Sequence, residues 1–432
     1  MKHYSSYKFI SVFLVTFAIL SYFFGFYLDE NSAGAGGYEG DFQPIYNNLQ
    51  IFLKHDLVTA IAHPNYFDSR PPTSYILHEA LNPFAEEEIN YRRSVFFISF
   101  LIPILLYFCL KQKFKNDENL LLILISSTIL LSPYFRTTAY WGLQENYGLI
   151  FLLLTFLSTR FLDEQNNQFI FRVYIQLLIV TFLSSACVYF DQKLIIIPII
   201  CLLKIILSEK LIKLKMFTII CYFIFSLPYI YLITIWGSLI PSAAASSRKL
   251  GEGLYLNHLG YASTMIAFYL LPLLFFKNEK LILLIKNFFL EKKNNLLIIV
   301  FILYLIYLSI FLNFDEELIL GYGFIHKASI LIFENYFYRS IFIYFSFFIS
   351  WLIILMYFNK NFQEYFILVY FLLLSIVIWP IFQEYFDPLI LILAFTFFGS
   401  KIYLNYKNSI MLFIYLLIFL GGANVYYLGW LN

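Results

Sequence analysis

Long apolar runs separated by short polar breaks make up almost all of this 432-residue chain. Runs long enough to cross a bilayer fall near 8–28, 94–110, 119–135, 143–162, 173–190, 193–209, 216–236, 262–277, 295–313, 340–358, 364–380, 388–400 and 409–427. The pattern predicts an all-α polytopic membrane protein with about 13 transmembrane helices, forming one transmembrane domain over 1–432. The first run, Phe9 to Leu28, is too long for the core of a signal peptide. It also lacks a small-x-small cleavage site before Asp29-Glu30, so it reads as a retained span.

One polar stretch breaks the pattern. Residues 29–93 form a predicted external loop between the first two spans. Its Gly/Ala-rich start, Ser32 to Gly40, permits backbone conformations closed to other residues. Apolar residues then recur at Phe42, Ile45, Leu49, Phe52 and Leu53. That is helical spacing, and it predicts an amphipathic helix lying on the membrane surface. Asp41 falls where its N-cap would be, with Pro44 in the first turn. Pro71-Pro72 predicts a stiff turn before a second helical stretch. A further external loop, 237–261, is rich in Ser, Ala and Gly and reads as mobile.

Composition sets the class: 61% of the residues are hydrophobic and only 13% charged, which no soluble domain shows. The formal net charge of +2 gives no reason to expect nucleic acid. The charges instead divide by side. With the N-terminus in the cytoplasm, the inner segments collect 19 of the 29 Lys and Arg residues. The acidic, longer loops then lie on the outer face, which is periplasmic or lumenal. This places the chain in a bacterial inner membrane, or in the ER membrane of a eukaryote. The four cysteines, Cys109, Cys187, Cys201 and Cys221, lie in apolar stretches without metal-ligand spacing.

The residues that could carry chemistry are polar groups at predicted membrane boundaries. Asp41 is either a helix cap or a carboxylate able to take a proton from an acceptor hydroxyl. Arg70, beside the Pro-Pro turn, has the fork that binds oxyanions. Glu145 opens the fourth span, where an ionised group is costly unless it faces water or a protein interior. Arg136 is a candidate partner for it. Asp191-Gln192-Lys193 is squeezed between two apolar runs. Arg248 and Lys249 lie in the second long loop, and Lys327 in another. Glu384 and Tyr385 belong to Trp379-Pro-Ile-Phe-Gln-Glu384-Tyr385-Phe-Asp387-Pro388 at a late boundary.

The order of these features resembles the GT-C superfamily of integral-membrane glycosyltransferases. The layout is most similar to the dolichyl-phosphate-glucose alpha-1,2-glucosyltransferase family and its prokaryotic relatives. Those proteins carry an acid after the first span, here Gly40-Asp41-Phe-Gln, and then a Pro-Pro-x-x-Tyr segment, here Arg70-Pro-Pro-Thr-Ser-Tyr75. An aromatic segment with an acid entering the fourth span corresponds to Ala139-Tyr-Trp-Gly-Leu-Gln-Glu145. A later polar break is similar to Asp191-Gln-Lys, and a late Glu-x-Arg-Tyr-x-x-Pro segment to Gln383-Glu-Tyr-Phe-Asp-Pro388. The chain departs from the pattern twice. Its acid pair, Asp29-Glu30, lies 11 residues before Asp41, and Tyr385 stands in the place of the late Arg.

The resemblance implies transfer of a sugar from a polyprenyl- or dolichyl-phosphate donor to a glycan, lipid or protein acceptor on the outer face. It implies Asp41 as general base for an inverting displacement, with Glu145 positioning the acceptor or a cation. Arg70, Arg136, Gln192, Lys193, Arg248, Lys249, Lys327, Glu384 and Tyr385 would bind substrate, and the basic ones among them would face the phosphate. Some superfamily members use a divalent cation, Mg or Mn; no ligand cluster in this sequence demands one, and no cofactor motif is present. Two alternatives use the same pattern. A flippase for lipid-linked oligosaccharide would need no 65-residue first loop, but would need helices broken at the midplane. An O-antigen-type polymerase would place its large loop later in the chain.

Overall fold

A computed structural model describes residues 2–32, 36–163, 170–208, 211–247, 253–277, 281–311, 321–358 and 362–428. These residues are helical and contain no strand. The helices are α1 (Lys2–Tyr27), α2 (Gln43–Lys54), α3 (Leu57–Ile61), α4 (Thr73–Leu81), α5 (Glu88–Ser99), α6 (Leu101–Lys113), α7 (Asn119–Ser127), α8 (Pro133–Tyr140), α9 (Glu145–Asp163), α10 (Ile170–Phe190) and α11 (Ile196–Ser208). They continue as α12 (Ile212–Trp236), α13 (Ser242–Ser247), α14 (Asn257–Leu270), α15 (Leu281–Leu290), α16 (Lys292–Phe311), α17 (Gly323–Ile332), α18 (Tyr336–Tyr357), α19 (Phe362–Val377), α20 (Leu389–Phe395) and α21 (Tyr406–Tyr427).

Among the described residues, seven helices are long and apolar enough to cross a membrane. They are Ser6–Tyr27, Glu88–Lys113, Phe171–Phe190, Ile212–Trp236, Asn257–Phe276, Tyr336–Tyr357 and Tyr406–Tyr427. Large apolar side chains such as Phe9, Phe223 and Phe345 stand exposed along them. Water penalises such surfaces and lipid does not, so the chain is an integral membrane protein. Asn119–Leu131 and Pro133–Tyr140 form an eighth span only if their 68° bend is counted as one crossing. The expected count of about 13 exceeds these numbers because several apolar runs fold into shorter pieces. The run 193–209 divides into a 3-10 turn, Gln192–Ile195, and α11, and the run 388–400 contains only the seven-residue α20.

The chain divides into two compact units. The first comprises residues 1–12, 248–419 and 428–432. Its centre is α14, which packs against α18, α19, α17 and α20. Gly260 lets α18 approach: a Cβ there would lie 2.2 Å from the Phe347 ring. Gly321, Tyr322 and Gly323 all take positive φ, and Tyr322 N donates to Ile381 O at 2.7 Å. The helical pieces α13 and α14 begin within 237–261, a stretch expected to be loop throughout. His258 belongs to α14, is fully buried, and places Nδ1 2.9 Å from Ile378 O.

The second unit comprises residues 13–247 and 420–427. Here α9 and α10 form the main pair, flanked by α6 and α12. The end of α1 is fixed by rings: Tyr22 stacks on Phe96 at 4.7 Å and donates to Phe96 O, while Tyr140 donates to Tyr22 O. Residues 29–93 form much of the polar part of this unit. As expected, α2 covers nearly the predicted stretch and has Pro44 in its first turn. It buries Ile45, Leu49 and Phe52 on one side.

Candidate functional site

The turn at Pro71-Pro72 starts α4 and brings Asp68, Arg70 and Tyr75 to the same place. Asp68 is buried and fully engaged. It accepts from Tyr75 Oη at 2.5 Å, Gln144 Nε2 at 2.8 Å and Arg70 N at 2.9 Å. Burial pushes its carboxyl above the ordinary range, and the Arg70 guanidinium and the Tyr75 hydroxyl pull against that. Arg70 forks between two acids: Nη1 lies 3.6 Å from Asp68 Oδ1, and Nη2 binds Glu145 Oε1. Glu145 opens α9, and its other oxygen, Oε2, is buried with no hydrogen-bond partner among the described residues.

A third acid completes the cluster. Asp191 follows α10, caps the 3-10 turn through Lys193 N, and pairs with Lys193 Nζ at 3.0 Å. Burial raises its pKa, Lys193 lowers it, and Glu145 and Arg70 both act on it electrostatically. Residues 68–75, 144–145 and 191–193 therefore converge on one half-buried group of three carboxylates and two cations. Arg70, Glu145 and Lys193 keep side-chain exposures of 17%, 13% and 13%, so the cluster is not fully sealed within the protein. Gln192 turns aside and donates to Tyr229 Oη at 2.8 Å.

Beside this group runs a hydrogen-bond chain of fixed polarity. Asn82 Oδ1 accepts from Phe84 N, so its Nδ2 is the donor to His78 Nδ1 at 3.0 Å. His78 Nε2 therefore carries the proton and donates to Tyr147 Oη at 2.7 Å. Burial pushes the His78 pKa down to about 4, whereas an unfolded histidine titrates near 6.5. The unfolded chain thus binds the extra proton first. His78 stabilises the fold above pH ~6.5, and about 2–3 kcal/mol of stability is expected to disappear as pH falls from there to ~4. Unfolding temperatures measured across that range should fall less steeply for His78→Gln; an identical slope would remove the claim.

The other sequence candidates lie elsewhere. Arg136 does not pair with Glu145. Its Nη1 reaches Glu30 Oε2 at 2.7 Å and its Nε reaches Leu130 O at 2.7 Å, because the 68° bend before α8 aims it at the end of α1. Arg92 similarly reaches Asp29 Oδ1 at 2.6 Å. The Asp29-Glu30 pair thus anchors the first helix. Asp41 does not cap α2. The chain enters α2 through a wide helical turn, Tyr38–Phe42, which already satisfies the Gln43 N–H. The Asp41 carboxylate instead accepts from Gly37 N at 3.0 Å and fills the space beside Gly36, where a Cβ would collide with it.

In the other unit, Glu384 and Tyr385 lie on the turn Gln383–Tyr385, and Lys327 lies on α17. Gln383 joins these segments, accepting from Phe324 N at 3.3 Å and donating to Tyr269 Oη at 3.2 Å. Arg248 and Lys249 fall outside the described residues. No group of three His, Cys, Asp or Glu side chains is arranged to hold a metal among the described residues. Sequence reasoning missed Asp68, His78 and Tyr147 as members of the site. The available signal was the i, i+4 pair Ser74/His78 on α4: Ser74 meets Gln144 and His78 meets Tyr147. No protein-family model, curated protein or solved structure matches this chain.

Proposed function

We propose that the protein is a membrane glycosyltransferase that takes a sugar from a polyprenyl- or dolichyl-phosphate and passes it to an acceptor hydroxyl. In this reading the N-terminus is cytoplasmic, and residues 29–93 lie on the opposite face. The supporting observation is the half-buried cluster of Asp68, Arg70, Glu145, Asp191 and Lys193, assembled by the long polar segment within a bundle of apolar helices. Buried charge of this density is costly and a plain anchor has no use for it.

Asp41 takes the acceptor proton as the acceptor oxygen attacks the anomeric carbon. The bond from that carbon to the phosphate oxygen breaks on the opposite side, and polyprenyl phosphate leaves. A cation facing the leaving phosphate would stabilise its charge. The donor lipid stays among the membrane lipids. No step is assigned to a metal.

One observation favours a second reading, lipid-linked oligosaccharide flipping. The helix pair α7–α8 is broken at Ser132-Pro133 and carries the buried Arg136–Glu30 pair, as transporters with discontinuous helices do. Purified protein incubated with a panel of polyprenyl-phosphate sugars separates the two. Sugar transfer, or release of free polyprenyl phosphate, is the expected result. Flipping of lipid-linked sugar across liposomes with no turnover of any donor would replace the enzyme by the transporter.

A further inference from the structure

The apolar face of α2, expected to lie on the membrane, is covered by protein. Phe42, Ile45, Leu49 and Phe52 are buried, and the helix packs against α3 and α4. The neighbouring helix α3 is the one left uncovered: Leu57 is 50% exposed and Val58 56%. Asp56 starts this helix. Its carboxylate accepts from Val58 N and Thr59 N, both at 3.1 Å, and from Thr59 Oγ1 at 2.7 Å.

The level of α3 is set by α12. Trp236 Nε1 donates to Ile61 O at 3.1 Å, and the Trp236 ring stacks on Tyr66 at 6.2 Å. Trp236 is the last residue of the 25-residue span Ile212–Trp236. At the helical rise that span is about 37 Å long, more than the ~30 Å hydrocarbon layer. Its end therefore reaches the membrane boundary, where tryptophan is enriched. Ile230 and Tyr231, in the last turns of α12, and Leu239, just beyond it, are exposed. The lipid-facing surface of α12 thus runs up to the point where α3 is attached.

We propose that Leu57 and Val58 insert into the leaflet in which α12 ends, and that α3 anchors the polar segment 29–93 to the protein's own bilayer. Three observations favour lipid as the occupant. The pair is continuous with a surface that lipid already covers. The helix presents a satisfied backbone, with Val58 N and Thr59 N on Asp56 and Ile61 O on Trp236, and open polar groups are what lipid penalises most. Exposed Lys54, His55 and Asp56 flank the pair; they belong at headgroup level and hold the insertion to about 5–10 Å. The contact also reaches the charged cluster, because Tyr66, stacked on Trp236, donates to Arg70 O at 3.0 Å. The anchor therefore holds Arg70 near the membrane surface. The inference does not depend on the glycosyltransferase reading.

Spin labels on the full chain in liposomes test it. Leu57→Cys and Val58→Cys are labelled singly; the four native cysteines are buried. Relaxation by oxygen, which concentrates in lipid, is compared with relaxation by a water-soluble nickel chelate. Phe223→Cys, at an exposed position in the middle of α12, is the lipid reference. Glu79→Cys, at an exposed position on α4, is the water reference. The oxygen-to-nickel ratio at both α3 positions should lie several-fold above that of Glu79→Cys and approach that of Phe223→Cys. A ratio equal to that of Glu79→Cys would place α3 in water. An immobilised label shielded from both reagents would mean that a second copy or another protein covers the pair. Either result would overturn the proposal. Both labelled side chains are exposed, and unchanged unfolding temperatures confirm that the labels leave the fold intact.

Discussion

Arg136→Leu is expected to destabilise the protein by about 3–5 kcal/mol, the usual consequence of removing one partner from a buried ion pair. Arg136 is 2% exposed and Glu30 11%. The guanidinium donates to Glu30 Oε2, to Leu130 O and to Ser21 O, and its second terminal nitrogen reaches Ser21 Oγ. Asn424 Nδ2 also holds Glu30, at 2.9 Å, but it brings no charge. Leucine would leave a carboxylate and two carbonyl oxygens without their cation, at the junction of α1 with the broken α7–α8 span. Thermal unfolding in detergent measures the loss. Adding Glu30→Gln to Arg136→Leu should recover part of it, because removing both charges costs less than stranding one. An unfolding temperature equal to that of wild type would show that the pair contributes nothing. The neighbouring Arg92–Asp29 pair makes a useful contrast, since Asp29 is 62% exposed and solvent screens such pairs to at most ~1 kcal/mol.

On the proposed glycosyltransferase reading, Asp41→Asn is expected to lower the rate of sugar transfer by about 10²–10⁴-fold, the range that a positioned general base supplies. The substitution keeps the side-chain shape. Asparagine Oδ1 still accepts from Gly37 N, so the glycine-rich approach to α2 keeps its contact. What disappears is the ability to take a proton. Turnover by wild type and variant, measured beside their unfolding temperatures, separates the two roles of Asp41. Lost turnover at unchanged stability supports the base. Unchanged turnover would mean that Asp41 serves only to hold the Gly36-Gly37 segment.

Much of the local structure was legible because it depends on neighbours in sequence. The apolar positions 42, 45, 49, 52 and 53 marked α2, and the structure buries Phe42, Ile45, Leu49 and Phe52. Pro71-Pro72 marked the turn before α4, and Glu145 marked the start of α9. The long apolar runs marked a membrane protein, although among the described residues seven helices, not about 13, are long and apolar enough to cross a membrane. Hydropathy counts apolar residues in a row; it does not register where a proline or a 3-10 turn stops the helix.

The partners of the charged groups were not legible. Arg136 and Glu145 lie close together in sequence, yet Arg136 turns to Glu30 and Glu145 to Arg70, 106 and 75 residues away. Asp41 stood in a helix-cap position by pattern, but the chain enters α2 through a wide turn that already satisfies the Gln43 N–H. The stretch 237–261 read as a mobile loop throughout, and the structure places its last residues in α14, with His258 buried.

The sequence alone determined that this chain lives in lipid, that most of its helices are apolar, and that residues 29–93 are its main polar investment, since burial preference and helix period are properties of short windows. Tertiary structure decided which carboxylate meets which cation, and therefore where the charged cluster forms. Those outcomes depend on the desolvation of each charge and on hydrogen-bond directions between residues far apart in the chain, and neither exists until the helices pack.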